Sequence, residues 1–272
     1  MRLLKGADAA KAINEENKKR IKDEGRTPEL AIVRIGARPD DLSYERGIKK
    51  KMESLGIGAV VYEYPEDISN EDFFDSFQRI NDDPGTDGIL CFMPMPKQID
   101  EKRLAETIDP AKDLDGISPV NQAKVYAGDE SGFAPCTAEA VVSLLDHYDI
   151  DVTGKKVTVI GRSLVIGRPV SMMLMKKNAT VTICHTRTKD VAAECRKADI
   201  IIAAAGVPRM VKADYVSEGA IVVDVGIHVD DAGNMCGDVD FDEVSPLCEA
   251  ITPVPGGVGS VTTSVLARHL VL

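Results

Sequence analysis

The chain has 272 residues, enough for one large domain or two medium ones, each with its own buried core. Hydrophobic residues make up 44% and charged residues 28%, close to globular averages, which argues against wholesale disorder. A formal net charge of −11, with 4% aromatics and no Trp, argues against a protein built to grip nucleic acid, although a local pocket for small anions stays open.

The N-terminus, Met1 to Gly6, carries no apolar run long enough for a signal peptide. Leu30–Ile35 reads as a buried strand, and 41–55 as a helix stopped by Gly56. A second strand follows at 59–64, a helix at about 71–81, and a third strand at 88–92, which Pro94 and Pro96 close. Such βαβαβ alternation predicts a parallel sheet covered by helices. A Gly/Asp/Ser-rich passage at 127–132 breaks the pattern, and a helix restarts near Thr137. Strands are then expected at 156–160, 179–184, 199–204 and 220–225, with helices at 168–177 and 264–272. Two α/β domains are the economical reading.

No stretch approaches the ~18 apolar residues of a membrane span, so no membrane partner is expected. The six cysteines (91, 136, 184, 195, 236 and 248) form no C-x-x-C pair. Reduced, buried thiols in a cytoplasmic protein, with no metal, are the simplest reading.

After the strand 156–160 comes Gly161-Arg162-Ser163-Leu164-Val165-Ile166-Gly167. A dinucleotide fingerprint has three glycines in such a turn. Here Ser163 stands where the second usually lets backbone approach the pyrophosphate, and a helix N-terminus follows. By itself the motif also describes any tight strand-to-helix turn; its place between an apolar strand and a helix feeding another strand favours the cofactor. The next strand ends Cys184-His185-Thr186-Arg187-Thr188, with no acid to take a ribose 2′-hydroxyl. Arg162, Thr186 and Arg187 suit a 2′-phosphate, so NADP is expected, although Arg187 alone would also pass for an ordinary loop arginine.

The turn Gly161-Arg162-Ser163 through Val165-Ile166-Gly167-Arg168-Pro169 resembles that of the methylenetetrahydrofolate dehydrogenase/cyclohydrolase family. So do Thr252-Pro253-Val254-Pro255-Gly256-Gly257-Val258-Gly259, Asp87 to Leu90 with Pro94-Met95-Pro96, Lys112 to Gly116, Pro135-Cys136-Thr137 and Gly237-Asp238-Val239, in order and across nearly the whole chain. The resemblance implies a folate-binding catalytic domain at 1–136 completed by a C-terminal helix at 260–272, and a Rossmann-like NADP-binding domain at 137–259, with a cleft between them. It also implies a homodimer in one-carbon metabolism, oxidising 5,10-methylenetetrahydrofolate and hydrolysing the methenyl product to 10-formyltetrahydrofolate. Tyr44 would stack on or hydrogen-bond the pteridine, and Asp115 would take its donor-rich edge. Pro255, Gly256 and Gly257 would line the substrate site; His185 and Ile227 would join Gly161, Arg162, Ser163, Gly167, Thr186 and Arg187 on the cofactor. Without the family, Tyr44 reads equally as core packing and Asp115 as a turn residue.

One departure is coherent. The family pattern Tyr-x-x-x-Lys-x-Lys, whose first lysine serves the hydrolytic step, is here Tyr44-Glu45-Arg46-Gly47-Ile48-Lys49-Lys50, and the partner glutamine is Phe92. Asp40 and Asp41 also replace a usual Ala-Ser. Dehydrogenation needs mainly orientation, whereas hydrolysis needs a tuned acid/base, so the second activity is in doubt. Lys51, on the Tyr44 face of its helix, is the candidate substitute, although a solvated basic stripe explains it as well. The alternatives are a related two-domain dehydrogenase of a small hydroxy or amino acid, and a non-catalytic folate or NADP sensor.

Overall fold

A computed structural model describes residues 1–230 and 232–272. One unit comprises Ala12–Ala134 with Thr263–Leu272, the other Met1–Lys11 with Pro135–Thr262. The chain opens with strand β1 (Arg2–Leu3) and helix α1 (Gly6–Glu24), within which the division falls.

In the first of these units, β2 (Glu29–Ile35), α2 (Pro39–Leu55), β3 (Gly58–Tyr64), α3 (Asn70–Asp82) and β4 (Gly88–Cys91) build a parallel sheet of order β3-β2-β4. The central strand β2 is buried along nearly its whole length, as its apolar run from Leu30 to Val33 requires, with Arg34 buried as well. Helix α2 starts two residues before the predicted position. Pro39 fits its first turn, Asp40 and Asp41 complement the helix dipole, and Gly56, with φ 77°, ends it. Ser69 caps α3 by accepting the Asp72 N–H at 3.1 Å. Phe73, Phe77 and Ile80 fall on one face of α3 and pack into the core with Val33 and Ile89; the Phe73 and Phe77 rings stack at 5.8 Å. Helices α4 (Glu101–Thr107) and α5 (Pro119–Ala127) follow, α5 ending at Gly128 in the passage expected to break the pattern.

In the other unit, α6 (Cys136–His147) leads into β5 (Lys156–Ile160), α7 (Gly167–Lys176), β6 (Thr180–Cys184), α8 (Val191–Cys195), β7 (Ile200–Ala203) and β8 (Ile221–Asp224). The hairpin β9 (His228–Val229) and β10 (Met235–Cys236), helix α9 (Phe241–Val244) and strand β11 (Ala250–Ile251) complete it. Its main sheet is parallel, of order β1-β11-β8-β7-β5-β6. The last helix, α10 (Thr262–Leu270), falls with the first-described unit from Thr263 on: Asn17 Nδ2 donates to the Ser264 carbonyl at 3.1 Å.

The expected grouping of residues 1–136 differs at the N-terminus, while the division near residue 136 falls at Ala134/Pro135. Residues 1–11 fall with the dinucleotide unit, because β1 extends its sheet beside β11, with Arg2 paired to Ala250 and Leu3 to Ile251. The Leu4 N–H donates to the Ile251 carbonyl at 2.9 Å, and the Lys5 N–H to the Tyr148 hydroxyl at 2.8 Å. All six cysteines are buried, and none of them is in a disulfide. Among the described residues, no helix is long and apolar enough to cross a membrane.

Candidate functional site

Strand β5 has β6 on one side and β7 on the other, so the strand order reverses at β5. In such sheets ligands bind beyond the carboxyl ends of the strands at the reversal. The turn from Gly161 to Ile166 leaves β5 there. Gly161 has φ 134°, and a side chain on it would strike the Ala204 carbonyl; one on Gly167 would strike the backbone of Gly161 and Arg162. Only glycine allows this close packing of turn, helix and neighbouring strand. Ser163, in place of a glycine, closes the turn itself: its Oγ accepts the Ile166 N–H at 3.1 Å. Arg162 to Val165 are exposed at the N-terminal end of α7, which favours an anion.

At the end of β6 the chain folds tightly. The His185 N–H donates to Thr188 Oγ1 at 3.0 Å, the Thr188 N–H to the His185 carbonyl at 2.8 Å, and the Arg187 N–H to His185 Nδ1 at 3.1 Å. Thr186 and Arg187 are left exposed, while His185 is committed to the turn. The next acid, Asp190, caps α8 by accepting the Ala193 N–H at 2.8 Å. Two glycines that admit close backbone approach, a helix N-terminus and an edge of cations and a hydroxyl fit a dinucleotide bearing a 2′-phosphate. Ile227, 57% exposed, follows β8 at the same end of the sheet.

In the Ala12–Ala134 unit, Tyr44 projects from α2 and Phe92 follows β4; the ring of Tyr44 lies over that of Phe92, with centroids 5.4 Å apart. Tyr44 is 44% exposed, whereas Ile48 is fully buried and Phe92 nearly so. The helix is pinned beside Tyr44 by the buried Arg34, whose Nε donates to Glu45 at 2.8 Å; its other nitrogens reach Glu63 at 3.0 Å and the Gly36 carbonyl. Lys49 and Lys50 are exposed, and Lys51 is half-buried. Burial, and then the charge of Lys18 on α1, hold the Lys51 ammonium below the ordinary lysine range. Lys51 lies about 10 Å along the helix axis from Tyr44.

Asp115 sits in a rigid turn. The preceding segment runs beside β4, with the Ile89 N–H donating to the Lys112 carbonyl at 2.7 Å. Asp113 is buried and accepts N–H groups of Ile117 (2.9 Å) and Ser118 (2.8 Å) and Asn121 Nδ2 (2.9 Å). His269 Nδ1 donates to the Leu114 carbonyl at 2.7 Å, and Gly116 has φ 60°. Asp115 itself stays half-buried. Pro255, Gly256 and Gly257 belong to the other unit; Gly256, with φ 102°, accepts the Gly6 N–H on its carbonyl at 2.8 Å, and Pro255 and Gly256 are exposed.

Sequence reasoning missed Arg34, Asp224 and Asp238. Their partners come from distant segments, and the only local sign was an acid beside glycine in Gly237-Asp238.

A glycine turn at the switch point of a parallel sheet, with a cation and a hydroxyl at the end of the next strand, marks a dinucleotide-binding protein. The tetrahydrofolate dehydrogenase/cyclohydrolase catalytic domain matches residues 4–115, and the NAD(P)-binding domain of the same family matches residues 135–272. The bifunctional protein FolD of Clostridioides difficile is 52% identical over 272 residues, covering 99% of this chain and 95% of that protein. The crystal structure of the Campylobacter jejuni FolD dehydrogenase/cyclohydrolase superposes with a TM-score of 0.97 at 40% identity, covering 100% of this chain and 97% of that one. The Trypanosoma brucei dehydrogenase-cyclohydrolase, complexed with NADP cofactor and inhibitor, gives 0.92 at 34%, covering 98% and 95%. The chain belongs to the tetrahydrofolate dehydrogenase/cyclohydrolase family.

Proposed function

We propose that the chain is an NADP-dependent 5,10-methylenetetrahydrofolate dehydrogenase in which hydrolysis of the methenyl product is weak. The observation that carries the dehydrogenase reading is the glycine-built turn at the β5 switch point, beside a β6 end that offers Thr186 and Arg187 in place of an acid. When bound, NADP supplies the hydride acceptor. A lone pair on the substrate's own nitrogen drives hydride departure, so the protein's work is binding and orientation. Gly161, Ser163 and Gly167 shape the turn for the pyrophosphate end; Arg162, Thr186 and Arg187 hold the 2′-phosphate; Ile227 offers apolar contact. His185 contributes by shaping its turn. Tyr44 presents a ring to the pteridine, Asp115 accepts from its donor edge, and Pro255 to Gly257 offer backbone to the substrate.

The weak second activity follows from Ile48 and Phe92. Water addition and proton delivery to the departing nitrogen need a general acid/base. Where the family pattern has lysine and glutamine, this chain has a fully buried isoleucine and a buried phenylalanine under Tyr44. Lys51, half-buried on the Tyr44 face of that helix and with its ammonium pKa lowered, is the candidate for residual hydrolysis. A cytoplasmic homodimer completes the reading, supported by the family resemblance. A hydroxy- or amino-acid dehydrogenase and a non-catalytic sensor are set aside, because the family matches reach from residue 4 to residue 272 and the dinucleotide turn is intact. Incubation with methylenetetrahydrofolate and NADP tests the reading: reduced cofactor is expected, and its absence would refute the dehydrogenase.

A further inference from the structure

The loop that leaves β7 faces the dinucleotide turn, since the Ala204 carbonyl is the group a side chain at Gly161 would strike. Its next three residues all point their N–H groups at one side chain. Asp238 Oδ2 accepts from Ala205 at 2.6 Å and from Gly206 at 2.9 Å, and Oδ1 accepts from Val207 at 3.0 Å. Successive N–H groups around a concavity form an anion-binding nest, the device that in many proteins receives a phosphate. Here a carboxylate of the chain fills it, with no exposed surface of its own.

Asp238 is held from two further sides. His228 Nε2 donates to Oδ1 at 2.7 Å, and the Asp238 N–H donates to Asp224 Oδ1 at 3.0 Å. Asp224, at the end of β8, also accepts the N–H groups of Gly226 at 3.0 Å and Val239 at 2.9 Å. A side chain on Gly226 would strike the Asp238 carboxylate, and one on Gly237 that of Asp224. Two buried carboxylates thus fix the loops after β7 and β8, the second of which carries Ile227. A buried, multiply bonded anion of this kind costs desolvation that apolar packing would avoid, which suggests a role beyond stability.

We infer that Asp238 is a positioning residue for the cofactor: by filling the nest of Ala205, Gly206 and Val207 it sets the backbone wall opposite Gly161 on which NADP lies. This rests on the NADP reading above. It assigns the pyrophosphate to the Gly161–Ser163 turn, because the N–H groups after β7 are already taken. Asp238→Asn keeps the shape but removes the charge and half of the acceptor capacity, and Asp238→Ala empties the nest.

The test is calorimetric titration of NADP into the full chain, with steady-state kinetics on both substrates and a melting curve for each variant. Asp238→Asn should raise the Kd and KM for NADP about tenfold or more and leave the KM for methylenetetrahydrofolate within about twofold; Asp238→Ala should do worse, so that asparagine partly rescues. Gly206→Ala covers the case in which the buried substitutions do not fold. Gly206 has φ 69° with nothing within 4 Å of an added Cβ, so alanine there strains the loop and little else. It should raise the NADP Kd about three- to tenfold. Folded variants that bind NADP within twofold of the unmodified chain, or that lose both substrates equally, would overturn the inference. An unmodified chain that binds no NADP would overturn the cofactor reading with it.

Discussion

Tyr44 covers Phe92, their rings tilted by 35° at a centroid separation of 5.4 Å, so a half-exposed tyrosine lies over a buried aromatic ring where the family pattern has a glutamine. Offset, tilted rings at this distance attract, and the pair is worth about 0.5–1.5 kcal/mol beyond its burial. Such a surface suits a flat pterin, and neither Ile48 nor Phe92 offers a proton.

The hydrolytic step should therefore be slow, by about the 100- to 10,000-fold that general acid/base groups contribute. Ile48→Lys together with Phe92→Gln should restore it, measured as loss of methenyltetrahydrofolate against the uncatalysed rate. Ile48→Lys alone should lower the Tm, because the ammonium would enter a fully buried position without a partner. If the unmodified chain already hydrolyses fast, Lys51→Ala identifies the base; an unchanged rate in that variant would remove Lys51 from consideration.

Cofactor choice should follow the β6 edge. Replacing Arg162 and Arg187 by alanine together should raise the KM for NADP and leave that for NAD nearly unchanged. Equal losses with both cofactors would show that these exposed arginines do not read the 2′-phosphate.

Much of this was legible in the sequence because it is local. The strand, the glycines and the helix around Gly161 lie within one short segment, and the alternation of apolar runs places β2 to β4 and β5 to β8 to within a few residues. Helix α1 escaped because its buried face is small and partly polar: Ala9, Ala10, Ile13 and Asn17 give little apolar periodicity. Strand β1 has two residues and no period at all. The roles of Arg34, Asp224 and Asp238 escaped for another reason. A buried charge is explained by partners brought from elsewhere in the chain, such as the Asp238 carboxylate meeting N–H groups more than 30 residues away.

Asp115→Ala should abolish or greatly weaken folate binding and spare NADP. Buried donors on the pterin edge would lose their acceptor, a cost of about 1–3 kcal/mol or about five- to 150-fold in affinity. Asp113 and His269 hold the turn on either side of Asp115, and a melting curve separates a lost contact with the pterin from a loosened turn. Near-normal folate affinity would return Asp115 to the ordinary turn residues.

Asp224 gives a pH signature. Burial first, and then the neighbouring Asp238 charge, push its carboxyl up to about 6 from the ordinary 3.8, despite N–H bonds from Val239, Asp238 and Gly226 that pull it down. Between those values the folded chain holds the proton and the unfolded chain has released it. Stability from this group is therefore present at the acid end and falls as pH rises from about 4 to about 6, by roughly 3 kcal/mol. The Tm difference between the unmodified chain and Asp224→Asn should shift against the unmodified chain across that window. A shift in the opposite direction would mean that the carboxylate is stabilised as an anion.

The most direct measurement follows reduced NADP and methenyltetrahydrofolate together in one reaction started with methylenetetrahydrofolate. Both should rise in step, with methenyltetrahydrofolate disappearing afterwards little faster than its uncatalysed rate. Reduced NADP without accumulating methenyltetrahydrofolate would show an intact hydrolytic site despite Ile48 and Phe92, and no reduced NADP would contradict the dehydrogenase itself.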